Sequence, residues 1–514
     1  MDAGIDPVGF CLIMPDHFIS IEQAENDLLA CAAFLGERIK SGNGHAEAMK
    51  SIVPRFLARG EVDLAAELAN AVDDPFSRDK LLIAVAVKCA ELGDDEYALQ
   101  LADAIEDQGM QAEALERIAL VEAGKGNTDK AAEIAGSMLH PEYVFAGIAV
   151  HQAANGDQAA ADTTLGRIEY ANARVSALQQ IARALINAKE LDKAVETLEQ
   201  AVTAASEIEH DEEKIRALCD LGTLFIEAGD KNRSLETFEQ AQTEADVLDN
   251  IHRDFFLVNC ALGFLYAGNG DLADGALDLV ADKTQMASAL LGFARESWEK
   301  GEKDEALDTI EESYAILKSQ RDIETRDSRA RNALMASIAV QFAGFGKDDR
   351  ATEIALENAD HDDRMAAIGQ IAQVLTMRHE DELARQTVNL IEEDANRLFA
   401  LINLSEAKKN LGEETQSVKF LDEAAELVET VPQLAARSSV LNEIAVRYAE
   451  HGEMDKALAL VFQNTETIAE IRDESSQASA LASMSNTFTT VGGEMTDPVK
   501  RIVDNLIREA DRPT

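Results

Sequence analysis

The feature that most constrains the fold is a short turn signal that recurs along almost the whole chain. Each signal follows an apolar-periodic segment, usually ends in glycine, and lies 30 to 45 residues after the previous one. Glycine suits such a turn because a residue without a Cβ atom ends a helix in the left-handed conformation at little cost. The chain of 514 residues is therefore predicted to be an array of helix–turn–helix units. The thirteen predicted turns end at Gly60, Gly93, Gly126, Gly156, Lys189, Gly229, Gly270, Gly301, Gly346, His379, Gly412, Gly452 and Gly492.

Apolar residues at helical spacing predict the two helices of each unit. In the unit around position 189, Leu178 and Leu185 precede the turn, and Leu191 and Leu198 follow it. This spacing gives each helix one apolar stripe, and small residues such as Ala182 let the two helices approach closely. Only 5% of the residues are aromatic and only eight are proline, which also favours an all-α fold over a sheet.

Two units carry a more specific pattern. The first has Leu221-Gly222 with Phe225, then Gly229, Phe238 and Ala241, and the second has Leu262-Gly263 with Tyr266 before Gly270. With this pattern the sequence resembles the tetratricopeptide repeat (TPR) family over roughly residues 45 to 495. The resemblance implies a right-handed α-solenoid, a superhelix of about thirteen TPR-like repeats, whose concave groove is lined mainly by the first helix of each unit.

The two ends of the array are predicted to be capped, because an outermost repeat would otherwise expose its apolar face. We expect an N-terminal segment and capping helix in residues 1–44, the TPR-like array in 45–495, and a C-terminal capping helix in 496–514. Within the first part, Ile21 to Lys40 is predicted to be one helix. For residues 1–20 two interpretations remain open: an extended segment that packs on the first units, or a segment that lies in the groove and mimics a ligand.

The charge of the chain restricts its partners. With 47 basic and 96 acidic residues the net charge is 47 − 96 = −49, and the excess is spread along the chain. Such a surface repels phosphate backbones, so no nucleic-acid partner is expected. No export signal and no apolar run long enough for membrane insertion is visible. The five cysteines are odd in number, without any C-x-x-C pair, which indicates the cytoplasm.

No motif in the sequence indicates catalysis. Gly124-Lys125-Gly126 lacks the spacing of a phosphate-binding loop, and the nine histidines are scattered. No serine or cysteine occupies a recognisable nucleophile motif. The sequence therefore predicts a protein that is not an enzyme, with no catalytic residues, no cofactor and no metal site.

The TPR resemblance implies which residues face the groove. One residue or two in each of several first helices are predicted to contact a partner: Val87, Val150, Ile226, Phe264, Arg295, Trp298 and Val340. Phe264, Arg295 and Trp298 are the expected anchors, because aromatic residues and arginine dominate the energy of interfaces. The alternative is that the same apolar stripe is core, packed against the neighbouring unit.

Two functions follow from these observations. The first is a non-enzymatic protein–protein interaction scaffold, or adaptor, that binds a peptide or helix of a partner protein in the groove. An apolar partner with flanking Lys or Arg would suit the acidic rim. The alternative is a regulatory sensor whose array binds a small molecule or peptide and changes shape. The oligomeric state does not follow from the sequence.

Overall fold

The computed structural model describes residues 17–319 and 328–512, and within these ranges the regular structure is helical, without a strand. This confirms the prediction of an all-α solenoid of TPR-like hairpins. In chain order the α-helices are α1 (Ile21–Asn26), α2 (Leu28–Gly36), α3 (Gly42–Arg59), α4 (Val62–Asn70), α5 (Pro75–Leu92), α6 (Asp95–Asp103), α7 (Gln108–Gly124), α8 (Thr128–Gly136), α9 (Glu142–Ala154), α10 (Gln158–Leu165), α11 (Ala171–Asn187), α12 (Leu191–Ala205), α13 (Asp211–Glu227), α14 (Lys231–Asp246), α15 (Arg253–Ala267), α16 (Gly270–Leu277), α17 (Lys283–Lys300), α18 (Lys303–Ser319), α19 (Ser328–Gly344), α20 (Asp348–Leu356), α21 (His361–Met377), α22 (Asp381–Val388), α23 (Asp394–Asn410), α24 (Glu414–Glu426), α25 (Leu434–Glu450), α26 (Met454–Ala469), α27 (Glu474–Thr490) and α28 (Asp497–Ala510).

The turns within the hairpins lie almost where the glycine pattern predicts them. Thirteen described residues have a positive φ, and twelve of them are predicted turn residues. Two of the twelve, Lys189 and His379, adopt φ 64° without being glycine. The prediction of Gly270 is wrong: the left-handed residue is Gly268, with φ 91°, and Gly270 begins α16. The Gly-Asn-Gly sequence offers two glycines, and only the first falls where α15 ends.

The helices form two compact units. One, which we call the middle unit, is Leu115–Ala424; the other, the end unit, combines Met1–Ala114 with Ala425–Thr514. In the middle unit the first helices from α11 to α21 each pack against their own second helix and against the first helices before and after them, as α15 does with α13, α16 and α17. This is the packing of a helical repeat, in which each unit contacts its neighbours.

Phe238 shows how the middle unit is held together. Its ring is 1% exposed and packs edge-on against Phe264, with the ring centroids 6.0 Å apart. A Cβ atom on Gly222 would meet the ring at 2.7 Å, and one on Gly263 would meet it at 2.3 Å. The two glycines therefore make room for one phenylalanine between neighbouring first helices, which explains their place in the TPR-like pattern.

The end unit brings together helices from both ends of the sequence. Helix α2 packs against α27, α28 and α3, and α3 also packs against α27. All nine residues of α2 are buried. A helix that is apolar all round needs cover on every side, and the C-terminal helices provide much of it.

The N-terminal helix differs from its prediction. The single helix expected over Ile21 to Lys40 is two helices, α1 and α2, separated at Asp27. The Asp27 carboxylate accepts hydrogen bonds from the backbone N–H groups of Leu29 at 2.7 Å and Ala30 at 3.1 Å, and so caps α2. Residues 1–16, and with them most of the predicted N-terminal segment, lie outside the described residues. The division at residues 44 and 495 stays a prediction.

Candidate functional face of the first helices

All seven predicted partner-binding residues lie on first helices of hairpins. Val87 is on α5 in the end unit, and the other six are on α9, α13, α15, α17 and α19 in the middle unit. Arg295 is exposed, Phe264 is buried, and the remaining five are half-buried. The half-buried residues are Val87, Val150, Ile226, Trp298 and Val340.

Phe264 belongs to the core and not to an accessible face. Its side chain is 0% exposed and contacts Phe238, which corrects the prediction of an exposed anchor. The reason lies in α15, where eight of fifteen residues are buried. A helix that is apolar on most of its circumference gives no periodic signal for the side that faces solvent.

Arg295 and Trp298, the other two expected anchors, lie one turn apart on α17 and both contact the next hairpin. The Arg295 Nε atom donates a hydrogen bond to Oε1 of Gln341 on α19, at 3.2 Å. The Trp298 ring stacks on Phe345 with the centroids 4.2 Å apart and an interplanar angle of 16°. These contacts hold the two side chains in defined positions at the junction of α17 and α19.

Tyr266, on α15, extends this surface to a third helix. The side chain is 43% exposed, and burial of the remainder raises the pKa of its hydroxyl, while the charge of Arg295 opposes the increase. Tyr266 was noted in the sequence as part of the repeat pattern only. Tyr266 follows the buried Phe264 by two residues, which places it on the opposite side of the same helix. This spacing is the sequence signal that could have identified it as solvent-facing.

We call the surface formed by Tyr266, Arg295, Trp298 and Gln341 the aromatic–arginine face. The carboxylates of Glu296 and Glu299 raise the pKa of Tyr266 further, so both act on this face electrostatically. The Lys300 ammonium lies 3.3 Å from Glu296, whereas no ion pair of Glu299 is among the contacts of the described residues. The face thus combines aromatic surface, one guanidinium and an acidic border.

A second, polar groove lies between α11 and α13. Its volume is about 400 Å³, and its lining includes Ser176, Gln179, Arg216 and Asp220. Burial raises the pKa of the Asp220 carboxyl, and Arg183 and Arg216 partly offset the effect by their charge. The groove is open to solvent, and its polar groups can form hydrogen bonds with a peptide backbone.

The described residues contain neither a candidate metal-ligand cluster nor a candidate membrane-spanning helix. Residues 17–319 and 328–512 contain no group of three or more His, Cys, Asp or Glu side chains arranged to hold a metal ion. Within the same ranges, no helix combines the length and apolarity needed to cross a bilayer.

Comparison with known proteins supports the class of this fold. Residues 174–243 match the family model of the tetratricopeptide repeat. The match confirms the resemblance seen in the sequence, and the helical hairpins repeat the same architecture through the described residues. The protein is thus a TPR-like helical repeat protein. No curated protein matches the sequence.

Solved structures give weaker likenesses. Yeast Tom70 is 14% identical, with a TM-score of 0.29, over 90% of this chain and 99% of that chain. The apo form of the quorum sensor NprR from B. thuringiensis is also 14% identical, with a TM-score of 0.26, over 63% of this chain and 97% of that chain. The apo form of RapI is 12% identical, with a TM-score of 0.30, over 74% of this chain and 96% of that chain. Scores this low carry no argument about function.

Proposed function

We propose that this protein is a non-enzymatic interaction scaffold that binds a peptide or helix of a partner protein on the first-helix side of its middle unit. The observation that carries the proposal is the aromatic–arginine face. The exposed Arg295 and the half-buried Trp298 are held by contacts with the next hairpin, so they lose little conformational entropy on binding. Tyrosine, tryptophan and arginine are the residue types that dominate interface energies.

The chemistry of this face indicates the kind of partner. Tyr266 offers exposed apolar surface, and the half-buried Trp298 contacts both Phe345 and the Lys303 ammonium. This surface favours an apolar side chain at the centre of the bound segment. Glu296 and Glu299 border the face, and the chain as a whole carries a charge of −49. We therefore propose an apolar segment with flanking Lys or Arg, because opposite charges speed the encounter and fix its orientation.

The cytoplasm is the proposed compartment. Cys31, Cys89, Cys219 and Cys260 are free and buried. Burial raises the pKa of the Cys31 thiol to about 12 and that of Cys89 to about 11. Buried, protonated thiols of this kind are inert, and four unpaired cysteines in the described residues suit a reducing environment.

A library of random peptides displayed on phage tests the proposal. Selection on the wild-type protein should enrich sequences with a central apolar residue and a neighbouring Lys or Arg. Synthetic peptides from the enriched group should bind at least tenfold more weakly to an Arg295→Ala/Trp298→Ala variant, the scale expected when two interface anchors are lost.

Phe462→Ala is the matched control for this experiment. Phe462 is 37% exposed and lies on α26, a second helix, so its loss should leave the affinity unchanged. Circular dichroism must show that all variants are equally helical. Equal affinity of the peptides for the wild type and for the Arg295→Ala/Trp298→Ala variant would refute the proposed face.

A further inference from the structure

The end unit contains a groove whose lining is unusual for so acidic a protein. The groove has a volume of about 360 Å³ and lies along α25 and α27, with Glu47 of α3 at one end. Hydroxyl groups dominate its wall. They belong to Ser439 of α25 and to Ser475, Ser476, Ser479 and Ser483 of α27.

Arg55 of α3 joins this row of hydroxyl groups. Its Nη2 atom donates a hydrogen bond to Oγ of Ser483 at 2.9 Å, and its Nη1 atom donates to Oγ of Ser51, also at 2.9 Å, and to the Ser51 carbonyl oxygen. Ser51 in turn donates to the carbonyl oxygen of Ser479 at 3.4 Å. The guanidinium thus lies beside one end of the serine wall, at the contact between α3 and α27.

The charge of Arg55 has no counter-ion in the described residues. Its hydrogen-bond acceptors are hydroxyl and carbonyl oxygens, and no carboxylate is paired with it. Burial lowers the pKa of Arg55, with no acidic group acting against the shift. Arg378, by contrast, contacts both Asp348 and Glu380. A half-buried cation without a partner costs free energy that a bound anion would recover.

The geometry selects among anions. The Nε atom of Arg55 is buried without an acceptor, so the fork formed by Nε and Nη2, which commonly holds a carboxylate in two parallel bonds, is closed to a ligand. One N–H of Nη2 remains beyond its bond to Ser483, and the hydroxyls of Ser479 and Ser483 can donate from other directions. The hydroxyls of Ser439 and Ser475 already donate to a backbone carbonyl oxygen and to the Asp473 carboxylate. Several single donors from different directions suit a tetrahedral anion better than a planar one.

We propose that this groove binds a small molecule through a phosphate group, with Arg55, Ser479 and Ser483 around the phosphate. Its volume falls within the range of small-molecule sites, so it has room for more than the phosphate itself. Glu47 lies eight residues before Arg55 on α3, about 12 Å along the helix axis, and is paired with Lys50 at 2.8 Å. Its carboxylate restricts that end of the groove to neutral or cationic parts of the ligand.

This site goes beyond the proposed scaffold function, because it lies in the other unit and takes a different ligand. The residues around the phosphate come from both ends of the sequence: Arg55 is 428 positions from Ser483. A ligand that contacts both would stabilise the packing of α3 against α27 by mass action. Such a protein could register a phosphorylated metabolite, which is the sensor function that the sequence left open as an alternative.

Isothermal titration calorimetry of the full chain tests the site, with inorganic phosphate, glycerol 3-phosphate and acetate as probes. The two phosphates should bind and acetate should not. Tighter binding of glycerol 3-phosphate than of inorganic phosphate would assign the rest of the groove to the organic part of the ligand. Equal affinity would restrict the site to the phosphate group.

Variants show whether binding depends on the named residues. Arg55→Gln should weaken phosphate binding at least tenfold, the scale of a lost hydrogen bond to a charged group. Ser479→Ala, which removes one hydroxyl of the proposed phosphate contact and keeps the backbone carbonyl that Ser51 contacts, should weaken binding of both phosphates by roughly fivefold. Arg501→Gln makes the same change of charge at an exposed position on α28 and should bind like the wild type.

The controls decide between the site and a general salt effect. Phosphate stabilises many proteins by exclusion from their surfaces, and that effect would be equal in the Arg55→Gln and Arg501→Gln variants. Absence of measurable phosphate binding by the wild type, or equal binding by both arginine variants, would overturn the proposal. If Arg55→Gln does not fold, the loss with Ser479→Ala decides, and unchanged phosphate binding by that variant would overturn the proposal. None of these outcomes bears on the aromatic–arginine face, which the peptide selection tests separately.

Discussion

Replacing Gly263 by alanine tests the packing that joins neighbouring repeats. The new Cβ atom would lie 2.3 Å from two carbons of the Phe238 ring and 2.6 Å from a third. Carbon atoms pack at about 3.5 Å, so the ring would have to move by more than about 1 Å. The ring has little room to retreat towards Gly222, because it already lies so close to that helix that a Cβ atom on Gly222 would meet it at 2.7 Å.

The magnitude follows from two opposing terms. Overpacking a core costs typically about 1–3 kcal/mol, and a fully enclosed ring places this site at the upper end of that range. Replacing glycine by alanine within a helix by itself stabilises the folded state by about 1 kcal/mol. We therefore expect Gly263→Ala to lower the free energy of unfolding of the middle unit by about 2 kcal/mol.

Urea unfolding followed by fluorescence is the assay. Trp298, the one tryptophan of the chain, lies on the adjacent hairpin and reports the unfolding of this region. Gly275→Ala is the matched control: it lies within α16 with open space around it, and should raise stability by about 1 kcal/mol.

A double-mutant cycle then isolates the contact with Phe238. In a Phe238→Leu background the ring is absent, and Gly263→Ala should no longer be destabilising. A Gly263→Ala protein as stable as the wild type, or an equal cost of this substitution in both backgrounds, would show that the ring does not occupy the space between the two glycines.

Three further substitutions test other parts of the structure. Phe34→Ala should cost about 3–5 kcal/mol, measured by urea unfolding, because its ring is fully buried in α2; a loss below about 1 kcal/mol would contradict the packing of α2. Lys189→Gly should raise stability by about 0.5 kcal/mol, since it relieves a left-handed residue at some cost in chain entropy; a decrease would contradict the φ value. Asp473→Ala should cost about 1 kcal/mol at pH 7 by removing the cap of α27. Hydrogen bonds from Ser476 and Ser475 hold the pKa of Asp473 below its ordinary 3.8, so its contribution is present above that pH and is lost as the pH falls through the lowered pKa. The difference between wild type and Asp473→Ala should therefore vanish in strong acid, and a difference that persists there would refute the assignment.

The candidate face was predictable only in part. The sequence predicts Arg295 and Trp298 as anchors because residues of these types on a first helix suit a partner surface, and the structure places both at the junction of α17 and α19. Their role in binding stays a prediction. Phe264 was predicted to face the groove but lies in the core. Because α15 is apolar around most of its circumference, its sequence has no hydrophobic periodicity that distinguishes the buried side from the exposed side. Tyr266 was missed for the same reason: which side of α15 faces solvent depends on how α13 and α17 pack against it.

Local chemistry determined the repeat architecture of this protein. Turn residues at regular intervals and apolar stripes on both sides of them require only interactions within about forty residues, so twelve of thirteen left-handed turn residues can be placed from the sequence. The exception, at Gly268, arises where two glycines stand two positions apart.

Contacts between distant residues were decided by the tertiary structure alone. The sequence of α2 does not predict that this helix packs against α27. The residues around Arg55 likewise do not predict its hydrogen bond to Ser483, which is 428 positions away. A periodic pattern specifies that a helix has an apolar side, but every helix of a repeat array offers a similar one. The choice among them depends on the shape and volume of side chains, as with Phe238 between Gly222 and Gly263, and therefore appears only when the helices are packed together.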